Sequence, residues 1–159
     1  MYHYPCDPKA RTFDGGKPYL HPIIESAFKQ TLFYKRRSFG NAHCLDLFES
    51  SLPEKPDEKE LPTGAVALIA TAVYASLNDW SSGEQSVSNF DGESFTNVYA
   101  LHTQVLETIK KKNAKKYHVL MHGLLNRIIG VKAKVKNEKT TAVEKALRLV
   151  DVDAMADSD

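Results

Sequence analysis

Leu61-Pro-Thr-Gly-Ala-Val-Ala-Leu-Ile-Ala-Thr-Ala-Val-Tyr-Ala-Ser-Leu-Asn-Asp-Trp80 is apolar nearly all round until its last turn. A helix of that kind belongs in a core, with the rest of the domain built around it. The spacing predicts a central helix from Thr63 to about Asp79, with Leu68, Ile69, Ala72 and Ala75 inaccessible and Trp80 plugging its end. Truncation of Leu68 is then expected to cost about 2–5 kcal/mol. Ser81-Ser-Gly-Glu84 ends the helix, and Gln85 to Gly92 is a loop whose Val87 and Phe90 tuck under the helical pair. From Phe95 to Lys112, Phe95, Val98, Tyr99, His102, Val105, Leu106 and Ile109 fall at steps of three and four, the stripe of an amphipathic helix. The architecture is therefore all-α.

Working outward, Asn113 separates that helix from another, about Ala114 to Val131, with Tyr117, Leu120, Met121, Leu124, Leu125, Ile128 and Ile129 on its apolar side. Thr141 to Val150 has the pattern of a short sixth helix. On the N-terminal side, His21-Pro22 opens a first helix, because proline suits a position whose N–H has no partner. That helix runs to about Arg37, with Lys35-Arg36-Arg37 at its negative end and Gly40 as the stop. A short helix from Asn41 to Phe48 buries Leu45 and Phe48, and Ser50 to Glu60 is a charged surface connector. Residues 1–20 hold three prolines, Gly15-Gly16 and three tyrosines, the composition of an extended arm lying against the body. The result is a single-domain bundle of five to six helices over residues 21–150, with an N-terminal arm and an acidic tail at 151–159.

The quoted stretch and its neighbours resemble a known family. His21-Pro-Ile-Ile-Glu25, Leu61 to Gly83, Phe95-Thr-Asn-Val-Tyr-Ala-Leu-His102 and Leu149-Val-Asp-Val-Asp-Ala-Met155 are similar to an all-helical domain of unassigned function from expanded families of mushroom-forming fungi. The resemblance covers roughly residues 19–155 and is most specific over Val66–Trp80. It implies a helical fold and a fungal, intracellular setting. It brings no catalytic residues, and the lysine runs are not part of its pattern.

The net charge of +1 conceals a strong asymmetry. Residues 1–100 carry nine Lys/Arg against thirteen Asp/Glu, residues 101–148 carry twelve against three, and residues 149–159 carry four aspartates alone. Such a basic block suits an anionic partner or the chain's own acidic stretches. Lys110-Lys111-Lys112 and Lys115-Lys116 bracket a helix–helix turn, and Lys132, Lys134 and Lys136 would share one face if extended. The first three suit a helix C-terminus. Lys115 and Lys116 stand at the wrong end of the dipole, so local stability does not explain them. These eight lysines are the candidate anion-binding or nucleic-acid-binding residues. Any nucleic-acid contact through them is electrostatic and of low sequence specificity, because no base-reading motif accompanies them.

Catalytic signatures are weak. The chain has no Gly-x-Gly-x-x-Gly, Walker loop or Gly-x-Ser-x-Gly elbow. His118 and His122 are four apart, as two metal ligands on one helix face are, but the helical glutamate of a zinc hydrolase is missing between them. The competing reading is two histidines on a polar face. Asp79, Glu84 and Asp91 cluster near one turn, where a place in a loop or near a helix start accounts for them more readily than acid–base chemistry. His43 and Cys44 are adjacent and point apart on a helix, which disfavours a nucleophile–base pair. Two cysteines without a secretory leader are expected to be free thiols in a reducing compartment. No apolar run is long enough to span a bilayer.

The sequence thus favours a non-catalytic intracellular module, cytoplasmic or nuclear, without a cofactor. It meets a protein or nucleic acid through its basic corner. The alternative is a metal-dependent enzyme using His118, His122 and carboxylates around Asp79–Asp91. Self-association needs only an exposed apolar helix face.

Overall fold

The computed structural model describes residues 3, 6–7, 12–35 and 37–130 of the 159-residue chain. In the arm, strands β1 (Cys6–Asp7) and β2 (Thr12–Phe13) form a two-residue antiparallel ladder, Cys6 opposite Phe13. Among the described residues everything else regular is helical: α1 (Pro22–Thr31), α2 (Phe39–Leu47), α3 (Thr63–Asn78), α4 (Gly92–Lys112) and α5 (Ala114–Ile129). The expected sixth helix at Thr141–Val150, Lys132, Lys134, Lys136 and the acidic tail lie outside the described residues. So do the side chains of Cys6 and Cys44. No helix among the described residues is long and apolar enough to cross a membrane.

Packing closes a ring of four helices. α3 lies against α1 and α4, and α5 lies against the same two. Each helix begins and ends for an identifiable reason. The His21 ring accepts the Ile23 N–H at 3.1 Å ahead of Pro22, which caps α1. α1 stops at Thr31, short of Arg37, because the chain doubles back and the Phe33 ring packs on Phe28. Lys35 and Arg37 therefore lie beyond its last turn. Gly40 is no stop but sits inside α2, where a Cβ would fall 2.6 Å from the Phe33 ring and 2.8 Å from the Leu32 carbonyl. That close approach demands glycine. α2 starts at Phe39, two residues ahead of expectation, and Phe48 just after it is buried.

α3 departs from expectation in orientation. Val66, Ala67, Ile69, Ala70, Thr71, Val73 and Ala75 are buried. Leu68, expected in the core, is 48% exposed, and Ala72 is only partly covered. With its neighbours α1 and α4 arranged as above, one strip of an all-apolar helix is left facing water. Trp80 plugs nothing: it lies in the turn after α3 and is 56% exposed. Val87 and Phe90 are likewise exposed, although the Phe90 ring meets Phe95 in a tilted contact, ring centroids 5.4 Å apart. The loop is held instead by Asp79, whose Oδ1 accepts from the Ser88 N–H and hydroxyl at 3.1 and 2.6 Å.

α4 begins at Gly92, earlier than Phe95, because Asp91 caps it by accepting the Ser94 N–H at 2.8 Å. Asn113 closes α4 and caps α5 through the Lys116 N–H at 2.9 Å. Gly130, in the left-handed conformation at φ 69°, ends α5.

The arm is fastened at Tyr19. This fully buried tyrosine has φ 59°, a left-handed backbone that costs a bulky residue about 1–3 kcal/mol. Its hydroxyl lies 3.0 Å from His102 Nδ1 and donates to the His102 carbonyl at 3.4 Å. His3 completes an aromatic group with both rings. Burial holds the His102 pKa below its ordinary value; burial and then His102 lower that of His3 to about 4.

Candidate functional site

α5 presents three different faces. Tyr117, Met121, Leu124, Leu125 and Ile128 enter the core. His118 and His122 turn toward the connector before α3. The row Lys116, Leu120, Gly123 and Arg127, with Lys115 and Val119 beside it, faces outward and lines a groove.

The two histidines are not polar-face residues. His118 is only 2% exposed and stacks on His122, ring centroids 5.4 Å apart and planes 6° from parallel. Its Nδ1 lies 2.6 Å from Glu60 Oε1 and its Nε2 lies 2.7 Å from Glu58 Oε2. Both nitrogens face carboxylate oxygens, so both must carry protons for the contacts to be attractive. Burial pulls the His118 pKa down, but the hydrogen bonds and charges of Glu58 and Glu60 outweigh it, and the net shift is upward. The same bond from His118, followed by one from Lys55, lowers Glu58 to about 2. Glu60 Oε1 also accepts the Ser51 N–H and hydroxyl, each at 2.7 Å. His122 Nδ1 donates to the Lys59 carbonyl at 2.8 Å, and its Nε2 accepts from the Asn126 amide at 2.8 Å. Three consecutive connector residues are thus fastened to two residues of α5.

This arrangement differs from a metal centre. The ring nitrogens of one imidazole point away from each other, so Glu58 and Glu60 lie on opposite sides of His118 and share no common point with it. Neither ring nitrogen of His118 retains a lone pair for a metal. Among the described residues no group of three or more His, Cys, Asp or Glu side chains could hold an ion. The carboxylates that meet His118 are Glu58 and Glu60, not those around Asp79–Asp91. Asp79 binds Ser88 and Asp91 caps α4; the hydrogen bonds from Ser94 hold the Asp91 carboxyl below its usual range. Glu84 is exposed. His102 belongs to the Tyr19 contact.

Lys110, Lys111, Lys112, Lys115 and Lys116 are exposed on either side of Asn113. Lys110 Nζ lies 5.3 Å from the centre of the Tyr117 ring, whose hydroxyl is 2.6 Å from Thr63 Oγ1. Lys111, Lys112, Lys115 and Lys116 make no ion pair among the described residues. Lys115 and Lys116 edge the outward groove, which encloses about 630 Å³. Sequence reasoning found the lysines but missed the groove, for which the signal was Val119 among polar neighbours: it is 70% exposed on the outer side of α5.

The model of the domain of unknown function DUF6532 matches residues 1–109, more than half of the chain, and the chain belongs to that family. No curated protein and no solved structure matches it. Glu58, Glu60 and the Tyr19–His102 contact lie within the matched stretch; the lysines, His118 and the rest of α5 lie beyond it.

Proposed function

We propose that this member of the DUF6532 family is a non-catalytic interaction module that meets an acidic protein through the junction of α4 and α5. The observation that carries this reading is the pair Lys115 and Lys116. They are exposed, without ion pairs among the described residues, and in the first turn of α5, where the positive end of the helix dipole opposes them. The fold gains nothing from cations there. With Lys111 and Lys112 across Asn113 they make one basic corner that a set of carboxylates would neutralise.

Of the two anionic partners the lysines suit, protein is favoured over nucleic acid by what adjoins them. A phosphate backbone is polar throughout, whereas the neighbouring groove has an apolar floor. The Glu58–His118–Glu60 cluster supports anchoring rather than acid–base chemistry, since its donors and acceptors are spent on one another. The setting we infer is intracellular, cytoplasmic or nuclear, and fungal.

Capture from the native extract at low and high salt, with and without nuclease, tests the reading. A nuclease-resistant protein should be retained at low salt, released at high salt, and absent from Lys111→Glu/Lys115→Glu. Retention by that double variant would remove the corner as the site. Capture abolished by nuclease would give the corner to nucleic acid.

A further inference from the structure

The groove on α5 has the chemistry of a peptide seat. Its floor is Leu20, Ile109, Val119 and Leu120, and among the described residues no carboxylate lines it. Its edges carry Lys17, Lys115, Lys116 and Arg127. Lys17 already pairs with Asp14 at 2.9 Å, and Arg127 lies 3.8 Å from Glu25. Lys115 and Lys116 have no such counter-charge among the described residues, so the charge left to satisfy is at one end.

Gly123 lies in the middle of α5 at the bottom of this groove. Glycine in a helix interior weakens the helix relative to alanine. Its φ is not positive, and a Cβ built on it meets nothing within 4 Å. Among the described residues, therefore, nothing requires a glycine here. An incoming backbone that must approach α5 closely would have one.

We infer that the groove seats a short amphipathic helix of the protein partner, its apolar side chains on Val119 and Leu120 and its carboxylates toward Lys115 and Lys116. The inference rests on the reading of the lysine corner as a protein-binding surface. From Lys115 to Arg127 α5 rises about 18 Å, the length of roughly twelve helical residues. That accommodates apolar anchors at i, i+3 or i+4, and i+7, the spacing by which helices dock in grooves. Charge complementarity selects an acidic helix over a basic one.

The probe is a fluorescent synthetic peptide of about sixteen residues, leucine at those positions and glutamate at most others, against a control with lysine for glutamate. With the full chain at low salt, the acidic peptide should bind and the basic control should not. Val119→Glu, at an exposed position, should weaken binding by about ten-fold or more by setting a carboxylate in the floor. Gly123→Ala should weaken it several-fold while its melting temperature equals or exceeds wild type. That combination excludes damaged folding as the cause. Unchanged affinity in both variants overturns the groove. If Lys111→Glu, outside the groove, still abolishes binding in that case, the basic corner survives and only the seat is lost. If the acidic peptide does not bind wild type at all, corner and seat both fall. Self-association that disappears in Val119→Glu would assign the groove to a second copy of the chain and overturn the peptide.

Discussion

His118 on α5 is fastened to Glu60 in the α2–α3 connector by a 2.6 Å hydrogen bond between side chains that are almost wholly inaccessible to water. Fifty-eight residues of chain separate them. Replacing such a pair by well-packed apolar residues is often neutral, but removing one partner strands the other charge. The pair therefore fixes where the connector lies on α5 more than it adds to total stability.

His118→Leu leaves the Glu60 carboxylate buried beside its remaining donors from Ser51. The expected cost is about 3–5 kcal/mol. Adding Glu60→Gln removes the stranded charge while keeping an acceptor for Ser51, so the double variant should recover a large part of the loss. Urea unfolding of the two single variants and the double one measures this coupling.

The same residues give stability a pH dependence of definite sign. His118 has its pKa raised from 6.5, so its contribution is complete below 6.5 and is lost as pH rises through the folded value. Glu58 falls from 4.5 to about 2, so its contribution is present above 4.5 and is lost as pH falls through about 2. His3 and His102 act against His118: burial lowers their pKa, and their contribution is lost as pH falls below 6.5. Above pH 4.5, where Glu58 is ionised in both states, the difference in stability between wild type and His118→Gln isolates the first effect. It should be largest on the acid side of 6.5 and shrink toward alkaline pH; a difference that grows with pH would contradict the assignment.

Two neighbours on α3 should behave oppositely. Ile69 is 6% exposed, and Ile69→Ala is expected to cost about 2–5 kcal/mol. Leu68→Ala, at a half-exposed position, should cost about 0.5 kcal/mol or less. Equilibrium unfolding of both variants checks which strip of α3 faces water.

Tyr19→Phe keeps the buried ring but takes the hydroxyl from His102. Loss of a buried hydrogen-bond partner should cost about 1–3 kcal/mol. The arm should also become easier to cleave by limited proteolysis, since Tyr19 is the point at which it enters the core.

The all-α architecture was legible because α4 and α5 repeat their apolar residues at helical spacing. α3 was legible as a helix and as a core element but not in rotation. A helix apolar on every side gives no phase, so nothing in Val66–Ala75 distinguishes Leu68 from Ile69. Gly40 read as a terminator because its real reason, the Phe33 ring, is set by a chain reversal. The spacing of His118 and His122 marked them as facing one way. It could not name Glu58, Lys59 and Glu60, which look like solvated charges in a proline-containing connector. The Tyr19–His102 contact spans 83 residues and is equally silent in one dimension. Lysines on exposed termini could be placed from local rules, and these were.

Lysine footprinting of the free protein and of the complex captured from native extract, by acetylation and mass spectrometry, tests the basic corner most directly. Lys111, Lys112, Lys115 and Lys116 are exposed when free and should lose reactivity together in the complex. Lys29 and Lys55, whose ammonium groups pair with Glu25 and Glu58 away from the corner, should react equally in both states. A complex in which those four lysines stay as reactive as in the free chain would contradict the account.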